Sequence, residues 1–189
     1  MSNLKDIDAV VLCGGKGTRL RDVVDVPKVL AEINGTPFLK ILLEYIKKEG
    51  FSRVVLCTGY CAEEVEKYVL NCGVDLEYVF SREAAPLGTG GAVRLAKDYL
   101  KSQSFFVVNG DSICNFSLGK MYKTHIDKNA LATIAVSEVE DAKDYGTIGL
   151  QDDDKVFQFL EKTSVKASRL VNAGVYCFDI SVFQYLPNQ

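Results

Sequence analysis

The sequence predicts an α/β protein, a three-layer sandwich with a mostly parallel, Rossmann-like sheet and a small β-rich portion. Two patterns carry that prediction. In the first half, short continuous apolar runs alternate with segments of helical spacing, whereas strand-like pieces dominate the second half. A continuous apolar run is what a strand buried on both faces of a parallel sheet requires, because neither side meets water.

In chain order, Asp8-Ala9-Val10-Val11-Leu12-Cys13 is the first such run. Phe38, Ile41, Leu42, Tyr45 and Ile46 then share one helical face, with Gly50 as its stop. Arg53-Val54-Val55-Leu56-Cys57 is a second strand, and Val65, Tyr68 and Val69 mark a second helix. Leu76-Glu77-Tyr78-Val79-Phe80 reads as another strand. Ala92, Leu95, Ala96, Tyr99 and Leu100 form a third helical face, leading into the strand Phe105-Phe106-Val107-Val108. The repeated strand–loop–helix order implies right-handed βαβ units. Residues 130–136, 147–150, 155–159 and 170–178 are further strands, and Asp152-Asp153-Asp154 is a solvated hairpin turn rather than a metal cluster. No repeat, linker or low-complexity stretch divides residues 1–189, so one domain is expected. Its end at Gln189, close behind an apolar segment, reads as a truncation.

Composition narrows the function. A net charge of −3 argues against a nonspecific nucleic-acid binder but leaves room for an anionic small ligand held by a few local cations and backbone N–H groups. No apolar stretch approaches the roughly 20 residues of a membrane span, and no signal peptide is visible. The six cysteines lack zinc-site spacing and read as reduced thiols of a cytoplasmic protein. The single histidine, His125, lies in a polar stretch and is expected at the surface.

The chemistry starts in the loop after the first strand, Leu12-Cys13-Gly14-Gly15-Lys16-Gly17-Thr18-Arg19-Leu20. Lys16 comes too early for a Walker loop, and Leu20 stands where a dinucleotide fingerprint needs glycine. Three glycines nonetheless let the backbone approach a ligand and turn N–H groups onto phosphate oxygens. Thr18 adds a donor, and Arg19 a guanidinium that can grip two oxygens at once. Alone, this loop is equally an ordinary βα turn. Pro27-Lys28-Val29-Leu30 follows and supplies a second cation.

Together, Gly-Gly-x-Gly-Thr-Arg-Leu and the downstream Pro-Lys resemble the signature of the sugar-1-phosphate nucleotidyltransferases. The resemblance spans about Asp8 to Phe178 and implies the nucleotide-diphospho-sugar transferase fold. It casts Arg19 and Lys28 as catalytic cations, and Leu12, Gly14, Gly15, Gly17 and Thr18 as the nucleotide cradle. Pro86-Leu87-Gly88-Thr89-Gly90-Gly91-Ala92 resembles the segment under the nucleobase, through Gly88 and Thr89. Glu83 is a candidate base reader, since a carboxylate can accept both hydrogen bonds of guanine's N1–H and N2–H₂ edge. Asp111, in Val108-Asn109-Gly110-Asp111, resembles the family's magnesium aspartate, and Mg²⁺ is the implied cofactor. Tyr145-Gly146, Glu161-Lys162 and Asn172-Ala173-Gly174 resemble the sugar-phosphate half. The family's second metal aspartate has no match after Gly174, where Asp179 looks like a helix cap.

Among subfamilies, the chain looks most like the D-glycero-D-manno-heptose 1-phosphate guanylyltransferases, with mannose-1-phosphate guanylyltransferases next. The implied partners are an NTP, GTP favoured, and a sugar 1-phosphate, with room for a homo-oligomer. The implied reaction is in-line attack of a sugar-phosphate oxygen on the α-phosphorus, with pyrophosphate leaving. A phosphate monoester is nucleophilic at neutral pH, so no general base is needed. A uridylyl- or thymidylyltransferase is the alternative by base, and a catalytically weak nucleotide-sugar-binding subunit the alternative by class.

Overall fold

The structure, a computed structural model, describes residues 4–15, 26–143, 145–160 and 168–186. Ten strands and four α-helices follow in order: β1 (Asp8–Leu12), β2 (Glu32–Ile33), β3 (Thr36–Pro37), α1 (Phe38–Lys48), β4 (Arg53–Thr58), α2 (Ala62–Asn71), β5 (Glu77–Arg82), α3 (Gly88–Leu95), β6 (Ser104–Asn109), α4 (Leu118–Asp127), β7 (Ala132–Glu138), β8 (Thr147–Leu150), β9 (Val156–Leu160) and β10 (Leu170–Asp179). The main sheet runs β5-β4-β1-β6-β10-β8-β9, and β7 also pairs with β10. The strands β5, β4, β1 and β6 are mutually parallel. Around β10 the pairing turns antiparallel, to β6, β7 and β8. The expected β-rich second half is therefore the antiparallel extension of the same sheet.

The central residues of β1, β4 and β6 are apolar because both faces of the sheet are covered there. Leu42 and Ile46 of α1, Val65 and Val69 of α2 and Met121 of α4 pack with Val11, Leu56 and Phe106 on one face. Val93 of α3 and Phe183, from the 3-10 helix Ile180–Gln184, pack with Val10, Val55 and Phe105 on the other. Each fully buried Leu, Val or Phe contributes on the order of 1.5–3 kcal/mol of transfer free energy. Helices α1 and α2 lie on one face and α3 on the other, so the winding reverses between β1 and β6. Open α/β sheets bind ligands at such a reversal.

Two expectations need correction, and one element is added. The third helical face breaks down because α3 ends at Leu95 and continues as a 3-10 helix, Ala96–Tyr99. Leu95, which precedes that helix, is 41% exposed and Tyr99 42%, whereas Ala96 between them is buried. His125 is buried rather than superficial, at 2% exposure, with Nδ1 2.9 Å from Thr133 Oγ1. Burial lowers its pKa, with the Asp179 charge opposing, which favours the neutral ring. The hairpin β2–β3 was not foreseen; it turns on Asn34 and Gly35, both at positive φ, as a tight two-residue turn requires.

The amino-end edge of the sheet is tied by a buried ion pair. Asp8 opens β1 and pairs with Arg53 of β4, both nearly inaccessible to water. Asp8 Oδ2 accepts from Lys101 N at 2.6 Å and Ser102 N at 2.9 Å, while Arg53 donates to Tyr99 O at 2.7 Å and Glu77 Oε1 at 3.0 Å. Burial pushes the Asp8 carboxyl up, but the Lys101 and Ser102 N–H groups and Arg53 outweigh it and hold the pKa below the usual range. Removing one member leaves an uncompensated buried charge, so Asp8→Ala should lose about 3–5 kcal/mol in urea unfolding. A depressed folded pKa means this contribution is complete above the unfolded carboxyl value of about 4 and is lost as pH falls through the folded value. Wild-type stability should accordingly fall more steeply below about pH 4 than that of Asp8→Asn, which has no such carboxyl to titrate.

Candidate active site

The residues expected to bind the nucleotide gather at the carboxyl ends of the parallel strands. β1 delivers Leu12, Gly14 and Gly15, and Cys13 N donates to Cys57 O at 2.8 Å. Burial, then the Cys57 and Asp111 charges, raise the Cys13 thiol far above its usual range, which makes it a packing group rather than a nucleophile. Glu83 follows β5. Its Oε2 accepts from Leu87 N at 3.1 Å, and its Oε1 lies 2.6 Å from where a Cβ on either Gly14 or Gly59 would sit. One carboxylate thus stands among the loops after β1 and β4 and the entry to α3. Both glycines are needed for that approach. Gly88 opens α3 at φ +71°, a left-handed conformation that suits glycine, and Thr89 beside it is exposed.

The residues expected to be catalytic, Lys28 and Asp111, meet across the reversal between β1 and β6. Gly110 N donates to Leu12 O at 3.0 Å, and a Cβ on Gly110 would lie 2.5 Å from that oxygen and 3.1 Å from Val29 Cγ1. The chain can turn there only without a side chain, and the turn presents Asp111. From the other side, Pro27 leads into the 3-10 turn Lys28–Leu30, whose Val29 is buried as an anchor. Lys28 Nζ thereby reaches Asp111 Oδ2 at 2.5 Å, and Ser112 Oγ donates to Oδ1 at 3.1 Å. Burial raises the Asp111 carboxyl, but the Lys28 hydrogen bond and charge, with Ser112, leave its pKa below the usual value. It is an ionised, hard-oxygen group, the donor type Mg²⁺ selects. No cluster of three or more acidic, histidine or cysteine groups able to hold a metal occurs among the described residues. One carboxylate with substrate phosphates and water completing the shell is the arrangement that suits Mg²⁺ here.

The segments expected to bind the sugar phosphate lie where β10 meets β6 and β8. Gly146 O accepts from Asn172 N at 2.9 Å, joining two of the expected segments, and Tyr145 beside it is exposed. Asn172 Oδ1 accepts from Gly174 N at 2.9 Å, and Nδ2 donates to Tyr176 Oη at 2.6 Å. Gly174 has φ +74° and packs against Asn109. Asp179 caps the following 3-10 helix through Ser181 N at 2.8 Å. It pairs with Ser104 at the start of β6, roughly 17 Å from Asn109 at ~3.3 Å per residue, so it is no partner for Asp111.

Of the expected site residues, Gly17, Thr18, Arg19, Glu161 and Lys162 lie outside the described residues. Lys28 and Asp111 are in direct contact, 83 positions apart in sequence. Glu83 stands against Gly14, and Gly146 against Asn172. Gly59 escaped the sequence reading. A glycine straight after a buried strand was the available signal, but its reason is a carboxylate from a different loop.

Comparison with known proteins identifies the family. The nucleotidyl transferase family matches residues 8–189. A D-glycero-alpha-D-manno-heptose 1-phosphate guanylyltransferase of Campylobacter jejuni is 35% identical over 178 residues, 94% of this chain and 78% of its own length. The catalytic subunit beta of mannose-1-phosphate guanylyltransferase from Drosophila melanogaster is 38% identical over 92% of this chain, which spans 48% of that protein. The crystal structure of HddC from Yersinia pseudotuberculosis complexed with GMP-PN superposes with a TM-score of 0.85 at 33% identity, covering 96% of this chain and 80% of that one. The chain belongs to the nucleotidyl transferase family.

Proposed function

We propose that this protein is a guanylyltransferase that joins GTP to a heptose 1-phosphate, releasing pyrophosphate, with Mg²⁺ as cofactor. The contact between Lys28 and Asp111 at the sheet reversal carries the reading. It sets a phosphate-seeking cation beside a metal-seeking carboxylate, at the place where open α/β sheets bind nucleotides. The heptose-directed relatives and the GMP-PN complex of HddC support the choice of sugar and base. Mannose 1-phosphate is the second candidate acceptor, supported by the guanylyltransferase of Drosophila melanogaster.

In this reading Asp111 would hold Mg²⁺, which would neutralise part of the phosphate charge. Lys28 then leaves Asp111 for a phosphate, and Arg19 grips the triphosphate from the glycine loop. The backbone of Gly14 and Gly15 shapes the cradle, and Glu83 meets guanine. The sugar 1-phosphate attacks in line at the α-phosphorus. Positioning and charge neutralisation carry such a reaction without a general base, which agrees with the burial of His125. The product is an activated heptose for lipopolysaccharide or capsule, made in the cytoplasm. Six free thiols accord with that compartment, and no helix among the described residues is long and apolar enough to cross a membrane.

Pyrophosphate release from GTP and Mg²⁺ with heptose 1-phosphate, mannose 1-phosphate and glucose 1-phosphate tests the proposal. Turnover with heptose 1-phosphate above the others is expected, and GTP binding without turnover on any of them would favour a binding subunit. Lys28→Ala should lower the rate on the order of 10²-fold, as loss of a preorganised charge partner does. In thermal melts, GTP at 100 times its Kd should stabilise by about 2.7 kcal/mol. Equal stabilisation by UTP or dTTP would argue against guanine selection by Glu83.

A further inference from the structure

Asn109 ends β6 between the two halves of the site. It pairs with Leu12 of β1 on one side and lies against Gly174 of β10 on the other. Alternation along β6 sends Phe105 and Val107 into the core beneath α3, so Asn109 projects from that same face at its open, carboxyl end. It is half-buried, and among the described residues no hydrogen bond reaches its carboxamide, although its backbone oxygen accepts from Ser112 N at 3.4 Å. A carboxamide offers two donors and an acceptor with two lone pairs, all of them idle here.

The neighbouring asparagine behaves in the opposite way. Asn172 spends its oxygen on Gly174 N and its amide on Tyr176 Oη, both within the protein. That arrangement fixes the turn at Gly174, and the turn makes room for Asn109. A Cβ on Gly174 would lie 2.6 Å from Asn109 Nδ2. Asn172 is thus spent on the turn, while the Asn109 carboxamide, two residues from Asp111, has no protein hydrogen-bond partner among the described residues.

We propose that Asn109 is the carboxamide that reads the hydroxyl edge of the acceptor sugar, and that Asn172 acts as a positioning residue behind it. The proposal rests on the sugar-1-phosphate reading above. A planar group with adjacent donor and acceptor can engage two vicinal hydroxyls, and its place on the β10 side of Asp111 puts it toward the sugar rather than the base.

Calorimetric titration of heptose 1-phosphate and mannose 1-phosphate into the GTP-loaded protein tests this without requiring turnover. Asn109→Ala and Asn109→Ser should each weaken sugar-phosphate binding about tenfold, as loss of a neutral hydrogen bond does. The Kd for GTP should stay within about twofold, which also shows that each variant is folded. Wild type should lose a similar factor on one of the 2-, 3- or 4-deoxy analogues of mannose 1-phosphate, and Asn109→Ala should lose nothing further on that analogue. Unchanged sugar-phosphate binding in both variants would overturn the proposal, as would a loss confined to GTP. If wild type binds none of the sugar phosphates, the broader reading fails, and the assignment of Asn109 with it. Wild-type binding with no effect of the variants removes Asn109 alone.

Discussion

The site depends on one place where a side chain cannot be. Gly110 N bonds Leu12 O at the end of β1, and a Cβ on Gly110 would collide with that oxygen at 2.5 Å. Because β1 and β6 lie in contact there, the chain leaving β6 turns sharply and carries Asp111 over the end of β1. Lys28 arrives at the same point from a short helix anchored by Val29, which also packs against Gly110. Glycine at this position is therefore a requirement of the fold that becomes a requirement of the chemistry. Without it, the carboxylate and the cation would not share one position.

The two ends of the sheet are built by different physics. At the amino edge, Asp8 and Arg53 form a buried pair whose remaining hydrogen-bonding capacity is met by Lys101, Ser102, Tyr99 and Glu77. It is a closed network and presents nothing to a ligand. At the carboxyl edge, Lys28 and Asp111 pair while partly exposed, and in the proposed reading each exchanges its partner for phosphate or metal. An exposed pair contributes little stability, which makes that exchange cheap. Rigidity at one edge accompanies lability at the other.

The parallel half of the fold was legible because strands covered on both faces leave an unbroken apolar signature. Gly50 and the Asp152–Asp154 turn were legible because glycine and aspartate favour those backbone conformations locally. Other features needed information the local sequence does not hold. The change from α to 3-10 geometry at Ala96 has no marker in composition. The polar neighbours Lys123, Thr124, Asp127 and Lys128 point His125 to the surface, although Leu118 and Met121 share its helix face seven and four residues earlier. In the site, Asp111 and Lys28 were recognisable through the family's motifs. The need for glycine at Gly59 and Gly174 was not, because Glu83 and Asn109 come from distant segments. The Asn34-Gly35 turn was available and went unread.

The most direct test of the account follows the phosphorus atoms. Incubation with Mg²⁺, heptose 1-phosphate and GTP labelled at either the α- or the γ-phosphate separates attack at the two ends of the triphosphate. The account predicts that the α label enters the nucleotide sugar and the γ label leaves in pyrophosphate, in equal amounts. Release of the γ label as inorganic phosphate, or an α label that stays in GTP, would contradict it.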